Sequence, residues 1–184
     1  MKVLSICGSL RPSSTTERAL AVALAAAARA GAQVTAMPLR ELDLPLCDGR
    51  AELHTYGGDT ARFLAAVAGA DALLVGSPEY NGSLTGALKN ALDLMRADEV
   101  KGKMVGLLAT ASGEAGAMNT LNHLRHIFRW MDAWVLPTQV SIPKAQEAFS
   151  ADGAVVRPGL VSDLETLGAE VVRYAGLLAG NGPA

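Results

Sequence analysis

A chain of 184 residues with 16 basic and 18 acidic side chains, a formal charge of −2, has no basic footprint for nucleic acid. It also has no charged block for a membrane surface, and its longest apolar run, Ala19 to Ala28, is too short to span a bilayer. Cys7 and Cys47 stand far apart, outside any ligand spacing, so we expect a soluble, cytoplasmic chain without disulfides, folded as one domain over 1–184.

Half of the residues are apolar but only 4% are aromatic, a composition suited to close packing of helices on a sheet. Lys2–Cys7 (KVLSIC) reads as a buried strand, and 8–16 as a polar loop. Thr16 to Ala30 is Ala- and Leu-rich without Pro or Gly and predicts a helix stopped by Gly31. Gln33–Met37 is a second strand, and 39–58 is a long irregular stretch. Thr60–Ala68 predicts a short helix, followed by a third strand at Ala72–Gly76. Leu84, Leu88, Leu92 and Met95 recur at helical spacing, predicting one amphipathic helix to Ala97. Met104–Ala109 is a fourth strand, and Leu121, Leu124, Phe128 and Met131 mark another helix. A fifth strand begins at Trp134–Leu136 before Pro137, and apolar positions from Leu160 to Leu178 give a closing helix.

This alternation predicts an α/β fold: a doubly wound five-stranded parallel sheet with helices on both faces. Ligands of such sheets sit at the carboxyl ends of the strands. The loops that matter therefore follow strands one, three and four: 8–16, 77–83 and 110–117.

The first loop, G-S-L-R-P-S-S-T-T-E, places five hydroxyl residues and Arg11 between a strand and a helix. Helix amides and hydroxyls favour a phosphate there, and Arg11 can offer a fork of donors. Ser14 and Glu17 alone would also make a capping box. Neither a P-loop nor a G-x-G-x-x-G is present, which narrows the ligand toward a mononucleotide. In the second loop, Ser77 to Asp93, the turn formers Pro78, Asn81 and Gly82 flank Tyr80. This could rim a flat heterocycle, or be only a strand-to-helix turn capped by Ser83.

Together, G-S-L-R-x-x-S (Gly8 to Ser14) and P-E-Y-N-G-S-x-x-G-x-L-K-N-A-x-D (Pro78 to Asp93) resemble the NAD(P)H-dependent FMN reductase family, which includes quinone and chromate reductases. The segment Ala111 to Ala117 is similar to that family's S-x-G-x-x-G-G, and the resemblance runs from Lys2 to about Ile142. It implies a flavodoxin-like fold, bound FMN, and hydride supplied by NADPH or NADH. By that resemblance Ser9, Arg11, Ser14, Thr15 and Thr16 would hold the FMN phosphate. Pro78, Glu79, Tyr80, Asn81 and Gly82 would line the isoalloxazine, with Ser112 and Gly113 at its pyrimidine side. Lys89, Asn90 and Asp93 would lie on a helix of subunit contact, in a homodimer or homotetramer. The chain departs from the family at Thr16, often Asn; at Ala117, a Gly in the motif; and at Cys47, often an aromatic.

Hydride transfer belongs to the cofactor, so no side chain is assigned a catalytic role. Electrons would pass on to a small acceptor: a quinone, azo compound, metal oxyanion or free flavin. His123 and His126 lie three apart without a Cys or carboxylate cluster, so no metal site is expected. Two other readings share the fold: an FMN electron carrier serving protein partners, which the near-neutral charge disfavours, and a non-enzymatic flavin-binding protein.

Overall fold

The computed structural model describes residues 1–180; residues 181–184 of the domain expected over 1–184 lie outside them. Five parallel strands form one sheet in the order β2-β1-β3-β4-β5. They are β1 (Lys2–Cys7), β2 (Gln33–Pro38), β3 (Ala72–Pro78), β4 (Met104–Thr110) and β5 (Trp134–Ile142). Six α-helices connect or cover them: α1 (Thr15–Arg29), α2 (Thr60–Ala68), α3 (Gly86–Asp93), α4 (Ala97–Val100), α5 (Met118–Trp130) and α6 (Leu160–Gly180). The predicted doubly wound α/β architecture is what forms. None of the described helices is long and apolar enough to cross a membrane.

The sheet divides the core into two layers. On one face α1 and α6 pack over Val3, Leu74, Leu108 and Val140. On the other, Phe63 and Val67 of α2, Leu88 of α3 and Leu121, Leu124 and Phe128 of α5 cover Leu4, Ile6, Val75 and Leu107. The central strands β3 and β4 are buried on both faces and read as unbroken apolar runs. Edge strand β2 is exposed along most of its length. The alanines of the first helix let its backbone lie close to α6: a Cβ placed on Gly168 would meet the Ala23 carbonyl oxygen at 2.0 Å.

One element differs from the sequence pattern, and another extends past the part that the pattern named. The helix expected through Ala97 ends at Asp93, and the chain turns at Leu94 into α4, where the Arg96 amide donates to the Glu99 carboxylate at 2.6 Å. Leu94 and Met95 stay buried, so apolar spacing continued although the helix did not. The fifth strand begins at Trp134 as expected and continues through Pro137 to Ile142. Its pairing with β4 breaks register between Val105 and Leu107, and Pro137 falls in that break on the open edge, where no ladder donor is required.

Candidate functional site

β1 leads on one side to β2 and on the other side lies against β3, so the sheet changes direction there. Outside the carboxyl ends of these strands, where such a switch opens a crevice, lies a cleft of about 570 Å³. Its walls are Ser9, Arg11, Ser14, Thr15 and Thr16 from the first loop, Pro78, Glu79, Tyr80 and Asn81 from the second, and Ser112 from the third.

The first loop stands on the amino end of α1. Ser14 is the helix N-cap, accepting from the Glu17 amide at 3.2 Å. Ser9 Oγ accepts from the Arg11 amide at 3.4 Å. Thr16 and Thr110 share a 2.7 Å hydroxyl pair on the cleft floor. Only one hydroxyl of such a pair donates to the other, so one proton is left for a ligand. Glu17 does not place its charge on the cleft: Arg40 takes its carboxylate in a part-buried ion pair. The capping reading of Ser14 and Glu17 therefore holds for Ser14 and leaves the surplus hydroxyls for a ligand. Beneath the loop, burial pushes the Cys7 thiol above its ordinary range despite the hydrogen bonds that lower it. Such a thiol is inert packing.

The second loop is a tight hairpin. Tyr80 and Ser83 exchange backbone hydrogen bonds at 2.9 and 3.2 Å across Asn81 (φ 52°) and Gly82 (φ 78°). Two successive positive φ values are what a type I′ turn needs, and Asn-Gly is the pair that tolerates them. Tyr80 is thereby held out at the cleft mouth, 43% exposed, with the Arg11 guanidinium 5.8 Å from its ring centre. The cap of α3 is Thr85 and not Ser83: Thr85 Oγ1 accepts from Leu88 N at 3.1 Å and donates to Gly8 O at 2.7 Å, tying the second loop to the first. Ser83 instead bonds His123 Nδ1 at 2.9 Å.

The third loop is held where it enters α5. Ala117 N donates to Ser141 Oγ at 2.9 Å, and Thr120 N to Glu79 Oε2 at 2.9 Å. Gly82 and Gly113 shape their turns without lining the cleft; the Gly113 carbonyl accepts from Lys144 N at 3.0 Å.

A fourth loop, 143–147, also reaches the cleft through Ala145 and Gln146, and Ser13, Thr110 and Ala111 complete its lining. The sequence pattern marks the start of the fifth strand and no end, so it does not place Gln146, although the neighbour of β4 must end beside the loop after β4. Arg157 secures this loop by donating to the carbonyls of Pro143 (2.6 Å) and Lys144 (3.1 Å). Of the residues given to subunit contact, Lys89 and Asp93 pair with each other at 2.6 Å on the surface. Asn90 is occupied in pinning the 42–58 stretch, through Pro45 O and Cys47 N.

Strand order and the crevice at the switch define a flavodoxin-like α/β protein. A solved archaeal flavodoxin shares this fold at a TM-score of 0.69, with 14% identity over 96% of this chain and 99% of its own. Residues 1–147 match the model of the NADPH-dependent FMN reductases, and the chain belongs to that family. It is accordingly an oxidoreductase that uses FMN and NAD(P)H. Among its relatives is an NAD(P)H-dependent FMN reductase of Pseudomonas aeruginosa, 34% identical over 85% of each chain. An NAD(P)H-dependent FAD/FMN reductase of Geobacillus thermodenitrificans is 29% identical over 99% of this chain and 97% of its own length. The apo structure of an NADH:FMN oxidoreductase aligns over 94% of this chain and 89% of its own, with TM-score 0.74 and 25% identity.

Proposed function

We propose that the cleft is the FMN site and that the enzyme passes electrons to a small, flat organic oxidant such as a quinone or an azo compound. The observation that carries this reading is the convergence of Ser9, Ser14, Thr15 and Thr16 on the amino end of α1, opposite an exposed Tyr80. Hydroxyl donors and a helix N-terminus at one end suit a phosphate dianion. With Glu17 neutralised by Arg40, no free carboxylate of that first turn opposes it.

In this reading Arg11 swings between the Tyr80 ring and the phosphate. Pro78, Tyr80 and Asn81 border the flavin ring, and the exposed Ser112 donates at its polar edge. Bound FMN supplies the hydride chemistry. The chain's task is to hold the ring with one face open, exclude water from the other, and admit NAD(P)H and the acceptor in turn. An azo acceptor is supported by an FMN-dependent NADPH-azoreductase of Staphylococcus haemolyticus, 39% identical over 64% of this chain and 61% of its own. We propose a cytoplasmic location from the two unpaired thiols, Cys7 and Cys47, and a homodimer or homotetramer from the exposed face of α5.

Anaerobic titration of the FMN-reconstituted protein with NADPH, then NADH, tests the reading. Loss of the oxidised-flavin band with one equivalent, and its return on adding a quinone or azo dye, is the expected result. Bound FMN that neither nucleotide bleaches would favour the electron-carrier alternative. Sequential rather than ping-pong kinetics would overturn the alternating use of one face.

A further inference from the structure

Helix α5 begins behind the third loop without a capping side chain of its own: its N-cap position is Ala117. The first turn of a helix leaves backbone N–H groups that need acceptors. Here two of them are served from other elements, Ala117 N by Ser141 of β5 and Thr120 N by Glu79 from the far wall of the cleft, each at 2.9 Å. Thr120 is 0% exposed, so water does not reach its amide in place of Glu79. The backbone of Glu79 is fixed as well, its N–H donating to Thr110 O at 2.7 Å. One residue of the second loop thus grips both ends of the third: Thr110 where the loop leaves β4, and Thr120 where it enters α5.

We infer that Glu79 is a positioning residue: its carboxylate is the cap of α5 supplied across the cleft, and it sets the spacing between the second and third loops on which flavin binding depends. The inference rests on reading the cleft as the FMN site. Its side chain acts through the loop, not on the reacting atoms. What the role requires is an acceptor oxygen at the reach of a Glu side chain. Gln keeps such an oxygen, Asp falls one methylene short, and Ala has none.

The test compares E79Q, E79D and E79A by amide hydrogen exchange at Thr120 in FMN-free protein and by FMN dissociation constants from quenching of flavin fluorescence. In E79A and E79D, Thr120 is expected to exchange about tenfold faster and FMN to bind about tenfold more weakly, as for a lost charged cap. E79Q is expected to restore both to within about threefold of wild type, since a neutral acceptor retains most of a cap. A protein perturbed only by general loosening would show no such ordering. Unchanged Thr120 exchange in E79A, or an E79Q no better than E79D, overturns the inference. Should E79A fail to fold, the comparison of E79Q with E79D decides. If wild type itself binds no FMN, the assignment of the cleft falls, while Thr120 exchange still decides whether Glu79 is the cap.

Discussion

Thr16 at the start of α1 and Thr110 at the end of β4 lie 94 residues apart in sequence and share a 2.7 Å hydrogen bond on the floor of the cleft. Both are buried to 1% and 2% exposure, so a hydroxyl that loses its partner has only the cleft in which to meet water. Replacing either alone by Val should cost about 1–2 kcal/mol, because it strands the other hydroxyl. The double variant should lose less than the sum of the two, since both polar groups leave together. A double-mutant cycle by urea unfolding measures this; strict additivity would mean that the pair is not coupled.

Gly168 of α6 packs directly against the backbone of α1. A Cβ there would stand 2.0 Å from the carbonyl oxygen of Ala23, a backbone atom that cannot swing aside. G168A should therefore destabilise the fold by about 3 kcal/mol, the upper part of the range for overpacking. Gly113 is the control, because nothing lies within 4 Å of the position its Cβ would take. Thermal melts of the two variants should separate clearly, with G113A near wild type.

The same contrast explains which features were legible in the sequence. Buried parallel strands are written in runs such as Ala72–Gly76, and a hydroxyl-rich loop between β1 and α1 is visible because no structural duty consumes so many small donors. What the pattern could not convey was whether a buried apolar residue is helical. Leu94 and Met95 are buried in a turn as fully as Leu92 is in α3, so one helix was expected where α3 and α4 stand. For the fifth strand the pattern gave the start at Trp134 and no end. Proline is excluded from a central strand but not from the register break of an edge strand, and β5 is an edge. Without the end of β5, Ala145 and Gln146 could not be placed beside the cleft. The caps supplied by Glu79 and Ser141 had no sequence signal, because each serves a helix from which it is distant in the chain.

A pH-sensitive element lies in the 42–58 stretch. Buried Tyr56 donates its hydroxyl to Asp48 Oδ1 at 2.8 Å, and Arg50 bonds both carboxylate oxygens of Asp48 while lying 4.6 Å from the Tyr56 ring centre. Tyr56 first, and then Arg50, hold the Asp48 carboxyl below its ordinary value of 3.8. Because the folded-state value is lowered, this contribution is complete above pH 3.8 and is lost as pH falls through the folded value below it. Limited proteolysis between pH 5 and pH 3 should show this stretch cut ahead of the sheet as the pH falls, in the range about and below the ordinary Asp pKa. D48N should be cut readily across the whole range. Equal susceptibility of D48N and wild type at pH 5 would remove Asp48 as the fastening point.

The exposed end of α5 makes the proposed oligomer testable. Trp130 is 77% exposed and Trp134 59%, a large apolar area to leave in water. Trp130 borders a groove formed by Leu92, Met95, Ile127 and Met131, with the His126 ring stacked 6.4 Å from its own. A projecting indole beside an apolar groove is self-complementary: under two-fold symmetry each copy offers the feature that the other receives. Tryptophans in such central positions commonly carry much of an interface's energy. W130E should accordingly weaken self-association about 100-fold or more, with a glutamate forced against the partner's apolar groove. Light scattering after size exclusion, at equal loading of wild type and W130E, reads the change in mass directly. An exposed substitution on the opposite face of the sheet, such as L177E on α6, should leave the mass unchanged. Wild type eluting as a monomer at micromolar concentration would withdraw the second copy, and the 77% exposure of Trp130 would then call for a different partner.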